Sequence, residues 1–132
     1  MNIRNHGMSS TAENMIKVVT HNMSRCLIVP IQDELSIEDA KRVQEVILDT
    51  LGSRHVAGVI IDFSGVDIVD SSLWDVFTKS ANMIQVMGSH TAVTGLSPGI
   101  IASMIDSNMD TSNLKTKRNM EEALDYLLNY QK

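Results

Sequence analysis

The sequence predicts an α/β domain in which strands and helices alternate around a mixed, largely parallel sheet. Short apolar runs rich in β-branched residues recur between longer stretches with helical periodicity, the order expected of βα units joined by parallel crossovers. The run from Val56 to Phe63 is apolar at nearly every position, which reads as a central strand covered on both faces or paired on both edges. Gly52 and Gly88 each close a helical pattern, marking where the chain turns back.

Taken in order, residues 1 to 13 are rich in Ser, Asn and Gly and are expected to be a flexible tail, with one domain spanning 14 to 132. Met15 to Val19 reads as a first strand and Arg25 to Ile31 as a second, with Thr20 to Ser24 as the polar connection. Pro30 is awkward in a central strand, so it should lie near a strand end or an unpaired edge. Ser36 is the expected N-cap of a first helix, with Asp39 in the capping-box position and Val43, Val46, Ile47 and Leu51 on its apolar face. After the strand from Val56 to Phe63, Ser64-Gly65 reads as a turn. A second helix should run from Ser71 to Met87, capped by Asp70 or Ser71, with Leu73, Trp74, Val76 and Phe77 as apolar positions. Thr91 to Thr94 is a short strand, and Gly95-Leu96-Ser97-Pro98 leads into a third helix ending near Ser107, with Pro98 in its first turn. Leu114 to Thr116 reads as a last strand. A final helix from Asn119 carries Met120, Leu124, Leu127 and Leu128 as one stripe.

Composition narrows the classes of function. A chain of 132 residues, 43% hydrophobic and 20% charged, fits one globular domain large enough to bury a core without disulfides or metal. No window approaches the ~18 apolar residues of a membrane span. The first residues lack an apolar core like that of a signal peptide, so a cytoplasmic protein is expected. The net charge of −5 disfavours nucleic-acid binding. Lys115, Lys117 and Arg118 form the one basic cluster and read as a solvated turn. Cys26 is the single cysteine and sits inside an apolar run, where a small buried hydrophobe is expected. His6, His21, His55 and His90 lack the close partners of a zinc site, so neither a metal nor a cofactor is expected.

Catalytic chemistry finds little support. The glycines form neither a GxGxxG nor a GxxxxGK[ST] loop, and no GxSxG elbow surrounds Ser71 or Ser72. Asp62, Asp67 and Asp70 resemble a carboxylate cluster, but a strand end and a helix cap explain Asp62 and Asp70 better. The nine methionines, among them Met83, Met87, Met104, Met109 and Met120, suit either core gaps or an adaptable surface. Trp74 faces either the core or a partner. The segment Asp70-Ser71-Ser72 puts two adjacent hydroxyls where a buried strand gives way to a helix, a place where backbone N–H groups and the helix dipole favour a phosphate.

Ile61-Asp62-Phe63-Ser64-Gly65-Val66-Asp67-Ile68-Val69-Asp70-Ser71, followed by Val86-Met87-Gly88 and Thr94-Gly95-Leu96-Ser97-Pro98, resembles the STAS domain of anti-sigma factor antagonists. Within that family, Cys26 to Leu35 and the Thr94 to Pro98 segment are most similar to the RsbS type of stressosome scaffold. The resemblance implies a single STAS (SpoIIAA-like) domain and a non-catalytic role. It implies assembly with RsbR-like STAS scaffold proteins into homo- and hetero-oligomers, and capture of an RsbT-like switch kinase. Phosphorylation of the Ser after the motif Asp would release the kinase, and a phosphatase would reverse the modification.

That Ser is Ser71 in this sequence, with Ser72 as the alternative because SpoIIAA and RsbV types commonly use the second of a Ser pair. Asp70, Ser72, Trp74 and Asp75 become the candidate kinase contacts. The chain departs from the family at Leu73-Trp74-Asp75, where small residues commonly follow the site. Competing readings are a free antagonist of the SpoIIAA or RsbV type, a STAS subunit of a lipid or anion transport system and, weakest, an independent hydrolase.

Overall fold

In the computed structural model, residues 17–21, 24–109 and 114–129 are described. The expected tail at 1 to 13 lies outside them. The elements are β1 (Lys17–His21), β2 (Ser24–Gln32), α1 (Ile37–Ser53), β3 (Gly58–Gly65), α2 (Ser71–Val86), β4 (His90–Thr94), α3 (Pro98–Asp106), β5 (Lys115–Lys117) and α4 (Met120–Asn129). One five-stranded sheet has the order β1-β2-β3-β4-β5. Among the described residues only the β1–β2 pair is antiparallel. The mixed, largely parallel sheet expected from the sequence is therefore observed.

Because β2 to β5 lie side by side in chain order, crossovers of one hand place their helices on one face of the sheet. The core agrees. Val59, Ile61 and Phe63 of β3 pack in one cluster with Ala40, Val43 and Ile47 of α1, Trp74, Phe77 and Ile84 of α2, and Ile100 and Met104 of α3. The opposite face carries Cys26, Ala57, Ile60 and Ala92, covered by Ala123, Leu124 and Leu127 of α4. β3 is thus paired on both edges and covered on both faces, which is why its sequence is so uniformly apolar. α4 approaches β3 so closely that a Cβ at Gly58 would stand 2.6 Å from a Leu127 methyl and 3.0 Å from the His90 carbonyl oxygen.

Several boundaries move for identifiable reasons. The first strand runs on past Val19 to include Thr20 and His21, because its antiparallel register runs from Lys17↔Ile28 to His21↔Ser24; its expected first residues, Met15 and Ile16, lie outside the described residues. Ser64 and Gly65 are strand residues, not a turn. Gly65 pairs with Gln32 beyond a bulge between Pro30 and Gln32, and the chain turns where Val66 N–H donates to the Phe63 carbonyl at 3.0 Å. Pro30 lies at that bulge, past the Lys17↔Ile28 pair that ends the described part of β1, so its missing N–H falls where the ladder is already irregular. Two of the three basic residues expected in a solvated turn, Lys115 and Lys117, belong to β5, drawn into the sheet by pairing with Ala92 and Thr94.

The helix ends follow local rules. Ser36 Oγ accepts from Asp39 N–H at 3.0 Å, and the Asp39 carboxylate meets Arg42 at 3.2 Å. Ser97 Oγ accepts from Ile100 N–H at 3.2 Å, with Pro98 in the first turn. Asn119 Oδ1 accepts from Glu122 N–H at 2.9 Å. Each oxygen satisfies a backbone donor that the helix itself leaves without a partner.

Two measurements check this core. Phe63 meets Trp74 at 5.7 Å and Phe77 at 5.6 Å between ring centroids, the latter edge to face. Phe63→Ala should lower the unfolding free energy by about 3–5 kcal/mol, read from the urea midpoint. Cys26 is wholly buried, and burial pushes its thiol pKa up against the opposing effect of a Gly58 backbone hydrogen bond. As the only cysteine, it should stay unreactive towards a disulfide reagent in the native protein and react on unfolding.

Candidate functional site

The candidate site lies at the carboxyl ends of β2, β3 and β4, where the loops into α1, α2 and α3 come together. Asp62 and Phe63 are neighbours in β3, so their side chains leave on opposite faces. Phe63 enters the aromatic cluster that seats α2. The half-buried Asp62 carboxylate accepts through one oxygen from Ser64 Oγ (2.6 Å), Ser64 N–H (3.1 Å) and Thr94 Oγ1 (3.1 Å). It ties the end of β3 to the end of β4.

Gly95 completes that corner. Its φ of +78° is one that other residues rarely adopt, and a Cβ there would stand 2.5 Å from Ser64 N and Oγ and 2.8 Å from Asp62 Oδ1. Only a glycine lets the β4–α3 turn close over the hydrogen-bonded carboxylate.

The loop from β3 to α2 is pinned by Val66 and Val69, both buried, while Ile68 between them is 79% exposed. Asp67 N–H donates to Asp33 Oδ1 at 3.3 Å, linking this loop to the one leading into α1. Asp70 has extended backbone angles, and its Oδ1 accepts from Leu73 N–H at 2.8 Å. The N-cap is therefore Asp70, and neither serine is needed for capping. Ser71 and Ser72 are the first two helical residues, and both are exposed.

Of the residues marked from sequence, the structure brings Asp70, Ser71, Ser72 and Asp75 together on the exposed side of the first two turns of α2. Asp75 is ion-paired with Lys79 at 3.1 Å. Trp74 is removed from the contact surface. It is 2% exposed, because Val69 and Trp74 stand just before the cap and at the fourth helical position, the two places of a hydrophobic staple, and both join the core. Asp62, Asp67 and Asp70 form no shared carboxylate site, since Asp62 is engaged with Ser64 and Thr94, and Asp70 with the helix start. The methionines divide: Met104 is in the core, whereas Met83 and Met87 are 40% and 46% exposed.

Sequence reasoning missed Ile68, Thr94 and Gly95 as parts of this corner. The adjacency of Thr94 and Gly95 was visible, but their partner Asp62 is 32 residues from Thr94 in the chain. The corner should be more fragile than the cap. Gly95→Ala combines a strained φ with a backbone clash and is expected to cost more than Asp70→Ala, which removes a cap worth about 1 kcal/mol. Asp62→Ala strands the Ser64 and Thr94 donors and should cost about 1–3 kcal/mol. Equilibrium urea unfolding of the three variants ranks them.

Comparison with known proteins agrees with this architecture. The STAS domain family model matches residues 16–123. Bacillus subtilis (strain 168) RsbT co-antagonist protein RsbRB is 29% identical over 109 residues, which make up 83% of this chain and 39% of the relative. The chain thus spans about two fifths of the length of that relative. Among solved structures, a serine-to-glutamate variant of RsbS from Moorella thermoacetica superposes with a TM-score of 0.71 at 20% identity, covering 88% of this chain and 97% of the other. The phosphorylated form of the Bacillus cell fate determinant SpoIIAA gives 0.59 at 15% identity, covering 85% and 98%. These structural likenesses concern the fold. With its sheet order, its helices split between the two faces and a family match over most of its length, the chain belongs to the STAS domain family.

Proposed function

We propose that this chain is a non-catalytic stressosome scaffold that sequesters an RsbT-type serine kinase and releases it when Ser71 is phosphorylated. The observation that carries this reading is the division of labour at the start of α2. Asp70 caps the helix and Trp74 anchors it, leaving Ser71 exposed between them with no structural duty. A phosphoryl group can be added there without displacing a cap or a core side chain. It would stand at the positive end of the helix dipole, which accommodates its charge in part.

The modification acts on a partner. Phosphate adds about −1.5 to −2 charge to a surface already carrying Asp67 and Asp70, so a kinase docked over the cap meets a changed potential while the fold persists. Asp70, Ser72 and Asp75 are the proposed contacts, joined by Ile68, whose exposed apolar side chain among acidic residues has the character of an interface anchor. The scaffold is proposed to work in the cytoplasm with RsbR-like STAS proteins and a phosphatase. The similarity to a protein named as a co-antagonist of RsbT supports the choice of kinase. Among the described residues no helix is long and apolar enough to cross a membrane.

Incubation with an RsbT-type kinase, Mg²⁺ and ATP, followed by mass spectrometry of the labelled peptide, tests class and site together. Ser71→Ala should abolish most phosphate incorporation and change stability by no more than about 0.5 kcal/mol, as for other exposed positions. Normal labelling of folded Ser71→Ala would overturn the site, and loss confined to Ser72→Ala would move it by one residue. Ser71→Asp should weaken kinase capture relative to the unmodified chain. With an RsbR-type partner present, light scattering should show kinase leaving on phosphorylation while scaffold mass is retained; dissociation of the whole assembly would place the switch at the scaffold interfaces.

A further inference from the structure

α1 and α2 lie side by side on one face of the sheet and run in the same direction. Gln44 Nε2 donates to Ser80 Oγ at 2.8 Å, and a Cβ at Gly52 would stand 4.0 Å from the Met87 methyl. The two contacts advance together along both helices, so residue 44 is level with 80 and residue 52 with 87. Lys41, Glu45 and Gly52 of α1 and Asp75, Lys79 and Val86 of α2 are all exposed, at spacings of four and seven residues that keep each set on one side of its helix. Together they form the outer face of the helix pair.

The two rows carry opposite charges at each level. Lys41 is level with Asp75 and Glu45 with Lys79 to within about 3 Å, two residues of helical rise. Lys79 pairs with Asp75 at 3.1 Å, while Lys41 and Glu45 belong to no ion pair among the described residues. The far end of the face is apolar, with Val86 88% exposed beside the partly exposed Met83 and Met87. Level with them stands Gly52. A glycine inside a helix is unfavourable, and packing within the chain does not require this one, since its Cβ would touch only a flexible methyl.

We propose that this face joins two copies of the chain about a twofold axis parallel to the helices, so that each α1 lies on the α2 of the other copy. Glu45 of one copy then meets Lys79 of the other, Lys41 meets Asp75, and Val86 seats over Gly52, each contact being made twice. The antiparallel alternative, α1 on α1, would set Glu45 against its own copy, a like-charge contact that disfavours it. A peptide of a single charge would meet both signs on this face. Helices of 17 and 16 residues give a face about 25 Å long and about 20 Å wide. Two such faces bury about 1,000 Å² in total, at the lower limit for a specific interface, so the dimer should dissociate on dilution. Asp75 marks the border between this face and the proposed kinase contact, and dimerisation stands or falls independently of phosphorylation at Ser71.

Sedimentation equilibrium of the full chain over a series of concentrations tests the proposal. The mass should rise from monomer to dimer with concentration. Glu45→Lys and Lys79→Glu should each weaken association at least tenfold, because each sets like charges together twice. Mixed in equal amounts, the two variants should associate again, and the double variant carrying both changes should recover most of the association on its own. Val86→Asp should weaken it as well. Gly52→Gln should do the same with an unchanged or higher urea midpoint, since the free chain has room for the side chain. All four positions are exposed, and the urea midpoint shows that each variant is folded. The proposal is overturned if the chain remains monomeric at its highest soluble concentration, if the folded single variants associate as the unmodified chain does, or if the double variant fails to recover. A monomer that uses this face only for an RsbR-type domain would overturn it too.

Discussion

The organisation of the molecule depends on two adjacent residues at the end of β3 whose side chains leave on opposite faces. Phe63 enters the cluster with Trp74 and Phe77 and so decides where α2 lies on the sheet. Asp62 gathers Ser64 and Thr94 and so decides how the β4–α3 corner closes. The apolar contact supplies most of the energy, since burying an aromatic ring stabilises by about 1.5–3 kcal/mol while a net hydrogen bond contributes nearer 1 kcal/mol. The polar contact supplies geometry, because a carboxylate with three donors on one oxygen fixes two strand ends against each other. Every other feature of the candidate site, including the loop carrying Ile68 and the cap at Asp70, hangs between these two anchors.

That arrangement suits a surface which changes its charge while keeping its shape. The helix start is over-determined from within: Asp70 holds Leu73 N–H, Val69 and Trp74 are buried on either side of the cap, and the Phe63 cluster lies beneath. Ser71 and Ser72 contribute nothing to this and are exposed. A charge introduced at either serine is therefore felt first by whatever covers the face and only weakly by the core. The acidic side chains around it are held apart by separate duties, so added negative charge changes the field without breaking a shared network.

Much of this was legible because it is local. The cap at Ser36, and the one expected at Asp70 or Ser71, each follow from a short polar side chain three residues before the N–H it accepts. The central place of β3 follows from its uniform apolarity, and the burial of Cys26 from the run around it. What escaped is non-local. Ser64 and Gly65 remain in the strand only because β2 carries a bulge that brings Gln32 opposite Gly65. The role of Thr94 requires knowing that it pairs with Asp62 across β3 and β4. Trp74 is the exception: Val69, five residues earlier, was a local sign that it turns inward.

The strand order also explains why the two faces of the sheet are finished so differently. With β2 to β5 laid side by side in chain order, three crossover helices crowd one face and, among the described residues, α4 covers the other. The crowding fades towards β5. α1 and α2 are 17 and 16 residues long, whereas α3 has nine and β5 has three. A nine-residue helix buries Ile100 and Met104, and among the described residues no further helix covers Ile101 and Ile105. The exposed isoleucines of α3 thus lie at the end of the sheet where the shortest helix and the shortest strand meet.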